Sequence, residues 1–249
     1  RWALLDLSPD IRDQITRTPG LHPRQMRHSP IATVLPTSAD IDHIAGLLTL
    51  REGQSFTLML TREVSEILDA NPVFRALDAN HVERREIRLD AEFELLPGLP
   101  ARLVPVPGKV PLYMEEGEVR SDLEGGQAVG VAIGRGDRAL WYVPGCAAMT
   151  GRLADRLAGA DTILFDGTLW KDDELLDSGL SRKTGRRMGH MPMSGPGGSL
   201  EALAGLGIRR RIYVHINNTN PVLDPLSAER RAAEAAGWEI GCDQMELTC

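Results

Sequence analysis

A chain of 249 residues, 42% hydrophobic and 25% charged, has the make-up of an ordinary globular protein and excludes a disordered or fibrous one. A net charge of -7, only 4% aromatic residues and dispersed Lys and Arg argue against nucleic acid as the main partner. Three cysteines without CxxC spacing, and no apolar run near the roughly 20 residues of a membrane helix, point to a reducing, cytoplasmic location away from membranes.

Trp2 to Leu7 reads as a buried strand ending at Ser8-Pro9-Asp10, and the chain opens so abruptly inside it that an N-terminal segment is expected to be missing. A helix over Ile11 to Ile15 and a strand over Ile31 to Leu35 lead into Pro36-Thr37-Ser38-Ala39-Asp40-Ile41-Asp42-His43 and a short helix stopped near Gly53. Phe56 to Leu60 reads as a strand. Arg62 to Leu77 reads as an amphipathic helix with Val64, Ile67, Leu68, Phe74 and Leu77 inward. Short strands from Glu86 to Val106 precede a Pro/Gly/Glu-rich stretch, 105 to 126, expected to be a long loop of the kind that often serves a site. Ala128 to Ile133 and Ala139 to Val143 form a hairpin.

Helices and strands then alternate. Strands are expected at Thr162 to Phe165 and Ile212 to Ile216, with a final pair over Trp238 to Leu247. Helices are expected at Thr150 to Ala158, Gly198 to Leu206 and Ser227 to Ala236, with a helical or looped segment over Lys171 to Gly179. A β-rich first half and an α/β second half without a linker suggest one layered domain, 1–249, with helices outside two sheets. Arg209-Arg210-Arg211, at a strand entrance, reads as a solvated loop.

Three segments carry the polar chemistry. Asp40-Ile41-Asp42-His43 follows a strand, where side chains converge on a ligand crevice; its plain alternative is a helix N-cap by Asp40 or Asp42. Ile163-Leu164-Phe165-Asp166 ends an apolar strand on a carboxylate, and Tyr213-Val214-His215 carries an imidazole near the end of another. A cap and a satisfied core histidine are the plain readings of these two. Together the segments supply the N/O ligand set that a divalent metal requires.

The order of these segments resembles the metallo-β-lactamase superfamily, whose signature is His-x-His-x-Asp-His followed by a bridging Asp and a late His. Ser38-x-Asp40-x-Asp42-His43 aligns on that signature, with Asp166 and His215 at the two later positions. More specifically, Asp42 to Gly53, Val106-Pro107-Gly108-Lys109-Val110-Pro111, Asp166-Gly167-Thr168, Met188-Gly189-His190 and Val214-His215-Ile216-Asn217-Asn218-Thr219-Asn220-Pro221 resemble the family of protein B of pyrroloquinoline quinone (PQQ) biosynthesis. The resemblance runs from Ser8 to the C-terminus. It implies a metallo-β-lactamase-like αββα four-layer sandwich lacking its N-terminal segment.

Two departures shape the functional expectation. Ser38 and Asp40 stand where hydrolytic members carry the first two His, and no His lies between His81 and His190. One metal site of the usual pair is thereby dismantled, which favours a single divalent metal. Asp40, Asp42, His43 and His215 are its expected ligands, and Asp166 is a further ligand or the acceptor that orients a His. Fe(II) is favoured by the mixed N/O set, with zinc or manganese as alternatives. The Cys-x-Cys-x-x-Cys segment of family members is absent, so no structural zinc is expected in these residues.

The resemblance implies a metal-dependent hydroxylation, with O2 as co-substrate, of the tyrosine in a Glu/Tyr-derived precursor. His190 and Asp166 are the candidate catalytic groups, and Lys109, Tyr113, Asn217 and Asn218 the candidate substrate contacts. A carrier that binds PQQ or its precursor for transport and a metal-dependent hydrolase are the alternatives. The expected partner is a small peptide-derived substrate or PQQ, with neither nucleic acid nor membrane, and a homodimer is open.

Overall fold

The computed structural model describes residues 1–248, the side chain at position 137 excepted. The chain packs as two compact units, 1–103 with 110–115 and 104–109 with 116–248. Cys249 lies outside the described residues, and Cys146 and Cys242 are free thiols.

In the first unit, strands β1 (Trp2–Leu5), β2 (Ile31–Leu35), β3 (Phe56–Leu60) and β4 (Val82–Glu86) pair in chain order, all parallel. Helices α1 (Ile11–Arg17), α2 (Ile41–Ile44) and α3 (Arg62–Ala70) accompany them. Leu7, Val34, Leu47, Leu58 and Val64 lie in one buried cluster, consistent with strands whose apolar runs scarcely alternate. Thr61 starts α3 by accepting the amide of Val64. The expected helix to Leu77 stops at Ala70, because Pro72 has no amide hydrogen and disfavours helical geometry before it. The inward residues nevertheless remain inward: Phe74 and Leu77 are buried through a short 3-10 turn at Pro72–Ala76.

Strand β5 (Glu92–Leu96) forms an antiparallel hairpin with the start of β6 (Leu99–Gly108) across Pro97-Gly98. The rest of β6 belongs to the second unit, with β7 (Leu123–Ile133), β8 (Leu140–Val143), α4 (Gly151–Leu157) and β9 (Thr162–Asp166). After these come α5 (Glu174–Asp177), α6 (Gly185–Met188), α7 (Ser199–Ala202), β10 (Arg210–Val214), α8 (Ala228–Ala235) and β11 (Trp238–Ile240). The strand order in this unit is β11-β10-β9-β8-β7-β6, with the pairs from β8 to β11 parallel and β7 antiparallel to β8.

The expected loop from 105 to 126 shrinks from both ends, since β6 runs through Pro105 and Pro107 and β7 begins at Leu123. The two prolines are two residues apart, so their missing amide hydrogens fall on one side of the strand and leave the other ladder intact. The expected C-terminal strand pair reduces to β11, and the helix expected over Gly198 to Leu206 reduces to α7. The second core is aromatic. Tyr213 stacks on Trp238 at 3.8 Å between centroids, and its hydroxyl pairs with Ser199 Oγ at 2.8 Å.

Gly167 joins β9 to the polar segment that follows. A Cβ there would lie 2.9 Å from Tyr213 Cβ and 3.1 Å from the Val214 carbonyl oxygen, both parts of the adjacent strand. Gly167→Ala is therefore expected to destabilise the protein by about 1–3 kcal/mol through overpacking. Equilibrium urea unfolding measures it; an unchanged midpoint would contradict this packing.

Candidate metal centre

The polar residues sit where parallel strands end, the place in such sheets where ligands bind. In the first unit, β1 ends at Leu5 and Asp6 follows with φ 55, a conformation uncommon outside glycine. That turn aims its carboxylate at the segment after β2. Asp6 Oδ1 accepts the Thr37 amide at 2.6 Å and lies 3.0 Å from His43 Nδ1. His43 is buried, so this contact fixes its ring and leaves Nε2 as the atom that would meet a metal. Asp42 Oδ2 stands 3.8 Å from that Nε2.

Asp40 occupies the N-cap position of α2, but its side chain makes no capping bond and instead accepts from Ser38 Oγ at 3.0 Å. The capping alternative thus fails for Asp40. Tyr113 donates to the Ala39 carbonyl at 2.6 Å, and burial with the nearby Asp40 charge pushes its pKa up to about 12. It anchors the Ser38–His43 segment through its hydroxyl.

Burial disfavours the charged form of His43, but the charge and hydrogen bond of Asp6, with the Asp42 and Asp40 charges, outweigh it and raise the pKa to about 9. A raised folded pKa adds stability that is complete below the unfolded value of 6.5 and disappears as pH climbs through about 9. Metal-free protein is therefore expected to lose on the order of 3 kcal/mol between those limits, and Asp6→Asn should flatten the profile. Urea unfolding across that pH range checks it; a wild-type profile as flat as that of the variant would refute the pairing.

In the second unit, β9 and β10 run in parallel register with Asp166 beside Val214, which sets His215 next to the turn at Gly167. The Gly167 amide donates to the Val214 carbonyl at 2.8 Å and the Asn217 amide to the Thr168 carbonyl at 3.2 Å. His215 itself takes φ 54, a second strained residue directly after a strand. The buried Asn220 amide closes the corner by donating to the Gly167 carbonyl at 2.9 Å.

Asp166 is fully buried and both of its oxygens are used. Oδ2 accepts the Cys146 amide at 3.0 Å and faces His190 Nδ1 at 2.9 Å; Oδ1 accepts the Thr168 amide at 3.1 Å and its hydroxyl at 2.7 Å. Burial would raise the pKa of Asp166, but the charges of His190 and His215 and the hydrogen bonds from His190 and Thr168 hold it below the ordinary carboxylate value. The group is an anion at neutral pH.

His190 reaches this carboxylate because α6 ends two residues earlier, at Met188. Thr184 caps the helix start through the Arg187 amide, and Gly189, with φ 101, reverses the chain at its end. His190 then stacks on His215 with 5.2 Å between ring centroids and 17° between planes. Asp166, His190 and His215 each bring one ligand atom within 4.8 Å of the other two.

Two imidazoles and a carboxylate suit a divalent first-row ion, and the buried anionic carboxylate would offset part of its charge. The residues present fit such a group. His190, expected as an acid/base group, stands in this ligand-capable set. Lys109 is buried instead of exposed in a loop, with its side chain beside Gly189. Asn217 is half-buried and its side-chain amide donates to Thr219 Oγ1 at 3.0 Å, while Asn218 is exposed. A cavity of about 410 Å³ opens on His215, with Leu164, Val214, Ile216, Met245 and Leu247 in its lining.

Asp6, Thr37, Thr168 and Asn220 escaped the reading of the sequence as site residues. The only signal for Asp6 is a lone carboxylate inside the apolar run Trp2-Ala3-Leu4-Leu5-Asp6-Leu7.

A β-lactamase superfamily domain profile matches residues 1–216 of the chain, which belongs to that superfamily. Its fold is the metallo-β-lactamase fold, α/β with two sheets: a diphosphatase of the PhnP family, 20% identical, shares it with a TM-score of 0.65 over 98% of this chain and 78% of its own. Within the superfamily, the chain belongs to the coenzyme PQQ synthesis protein B family. It is 55% identical over 248 residues to that protein from Methylobacterium nodulans, covering 99% of this chain and 83% of the relative. With the one from Rhizobium meliloti it is 54% identical, covering 99% and 81%. The crystal structure of Zn(2+)-bound PqqB from Methylobacterium extorquens matches with a TM-score of 0.96 at 49% identity, over 100% of this chain and 84% of that one.

Proposed function

We propose that this chain acts in PQQ biosynthesis as a metal-dependent oxygenase that hydroxylates the tyrosine ring of a small Glu/Tyr-derived precursor. The observation that carries the reading is the cluster of buried Asp166 with half-buried His190 and His215 in a chain 55% identical to coenzyme PQQ synthesis protein B along nearly its whole length. Asp166, His190 and His215 hold the metal or orient its ligands in the second unit. Asp40, Asp42 and His43 are further ligand candidates on the strength of the sequence signature.

A bound iron ion supplies the means to activate O2 for insertion into an aromatic C–H bond. The chain's own groups do the rest. Asp166 holds the imidazole of His190 in place and keeps a negative charge out of solvent. The largely apolar cavity beside His215, about 410 Å³, has room for an aromatic ring. Lys109, buried next to Gly189, supplies a cation for a substrate carboxylate, and Asn217 and Asn218 offer amides to its peptide groups.

The zinc in the Methylobacterium extorquens relative is compatible with iron as the working metal. Zinc outranks Fe(II) for N/O ligands in the usual affinity order, so zinc in a purified relative does not decide the working metal. The test is metal analysis of protein purified without chelator under nitrogen, followed by O2 uptake with a Glu/Tyr peptide. Stoichiometric iron and peptide-dependent O2 consumption are expected. Zinc with turnover of a chromogenic ester would replace the reading by a hydrolase, and tight PQQ binding without turnover by a carrier.

A further inference from the structure

Thr168 lies at the centre of the second unit's cluster without being a metal ligand. Its Oγ1 is 2.7 Å from Asp166 Oδ1, 2.8 Å from His215 Nδ1, 3.0 Å from the His215 carbonyl oxygen and 3.1 Å from His190 Nδ1. A hydroxyl has one proton to give and two lone pairs to receive. Four neighbours therefore compete for three positions, and their chemistry decides which wins.

The proton goes to Asp166 Oδ1, the shortest of the four contacts and the anionic one, where a charge-assisted bond is roughly twice as strong as a neutral one. Oγ1 is then an acceptor only. His215 Nδ1, at 2.8 Å, must carry a hydrogen to satisfy it. His190 Nδ1 lies between two acceptors, Asp166 Oδ2 at 2.9 Å and Thr168 Oγ1 at 3.1 Å, and must carry one as well.

We infer that Thr168 is a positioning residue that relays the charge of Asp166 into the tautomer of His215, so that both stacked rings hold their proton on Nδ1 and present an unprotonated Nε2. Without that relay, a neutral imidazole in water prefers the proton on Nε2, the wrong atom for a ligand. Asp166 pairs with His190 directly at 2.9 Å and is bridged to His215 by this hydroxyl, so His215 is the ring expected to depend on it more. The inference rests on the metal-centre reading for its purpose but not for its test.

The test is nitrogen-15 NMR of the histidines in full-length, metal-free protein, beside Zn²⁺ titration against a competing chelator. Wild type and Thr168→Ser are expected to show Nδ1–H at both His190 and His215. Thr168→Val, which keeps the shape, should shift His215 toward Nε2–H while His190 stays, and raise the Zn²⁺ dissociation constant about 10–100-fold. An unchanged His215 tautomer in Thr168→Val would overturn the inference. If that variant does not fold, Thr168→Ala takes its place: His215 protonated on Nε2 in wild type, or on Nδ1 in Thr168→Ala as in wild type, overturns the inference, and a shift to Nε2 in Thr168→Ala sustains it. Wild-type protein that binds no Zn²⁺ would sink the metal centre instead, leaving the tautomer result to stand or fall alone.

Discussion

Asp166→Ala is expected to lower the stability of the folded protein by about 3–5 kcal/mol and to abolish metal retention. The carboxylate is fully buried and receives four hydrogen bonds, from the Cys146 amide, the Thr168 amide and hydroxyl, and His190. Alanine leaves those donors without partners in a site that water cannot easily reach, and an unsatisfied buried donor costs about 1–3 kcal/mol. Asp166→Asn keeps the shape, but one of its two atoms must be an NH₂ facing another donor, so it recovers only part of the loss. Thermal and urea unfolding give the stability; chelator competition gives the metal affinity. A stable Asp166→Ala variant that retains metal would show that the buried carboxylate is ordinary packing.

His215→Gly is expected to behave in the opposite way. The imidazole sits on a backbone with φ 54, which costs a residue bearing a Cβ about 1–2 kcal/mol. Glycine removes that strain and loses the hydrogen bond to Thr168, worth about 1 kcal/mol. The metal-free variant should therefore unfold within about 1 kcal/mol of wild type, while its metal affinity falls by at least about 100-fold, as expected when a coordinating atom is removed. Stability kept and metal lost is the signature of strain stored for function. Loss of both together would mean that His215 is a structural residue.

The sequence makes much of this arrangement visible because parallel strands are short apolar runs that end abruptly on a polar residue. Ile163-Leu164-Phe165-Asp166 and Ile212-Tyr213-Val214-His215 announce both the strand and the group at its end. What it hides is the partner that each group finds. His43 meets Asp6 from a different strand end, and the Asp6 turn depends on a positive φ that Asp tolerates more often than most residues but that its presence alone does not predict. Thr168 reads as an ordinary turn residue until β9 and β10 are set in register. The helix at Arg62 overran for a different reason: the apolar spacing of Phe74 and Leu77 continues through a 3-10 turn that serves the core as well as α-helix would.

The proximity of His190 and His215 is the claim on which the functional reading leans hardest. Anomalous diffraction from crystals of the protein loaded with iron or zinc tests it most directly. The account predicts a single strong peak about 2.0–2.2 Å from Nε2 of both His190 and His215, with Nδ1 of each ring turned to Thr168 and Asp166. A peak bound to neither ring, or to Nδ1 of either, would contradict it.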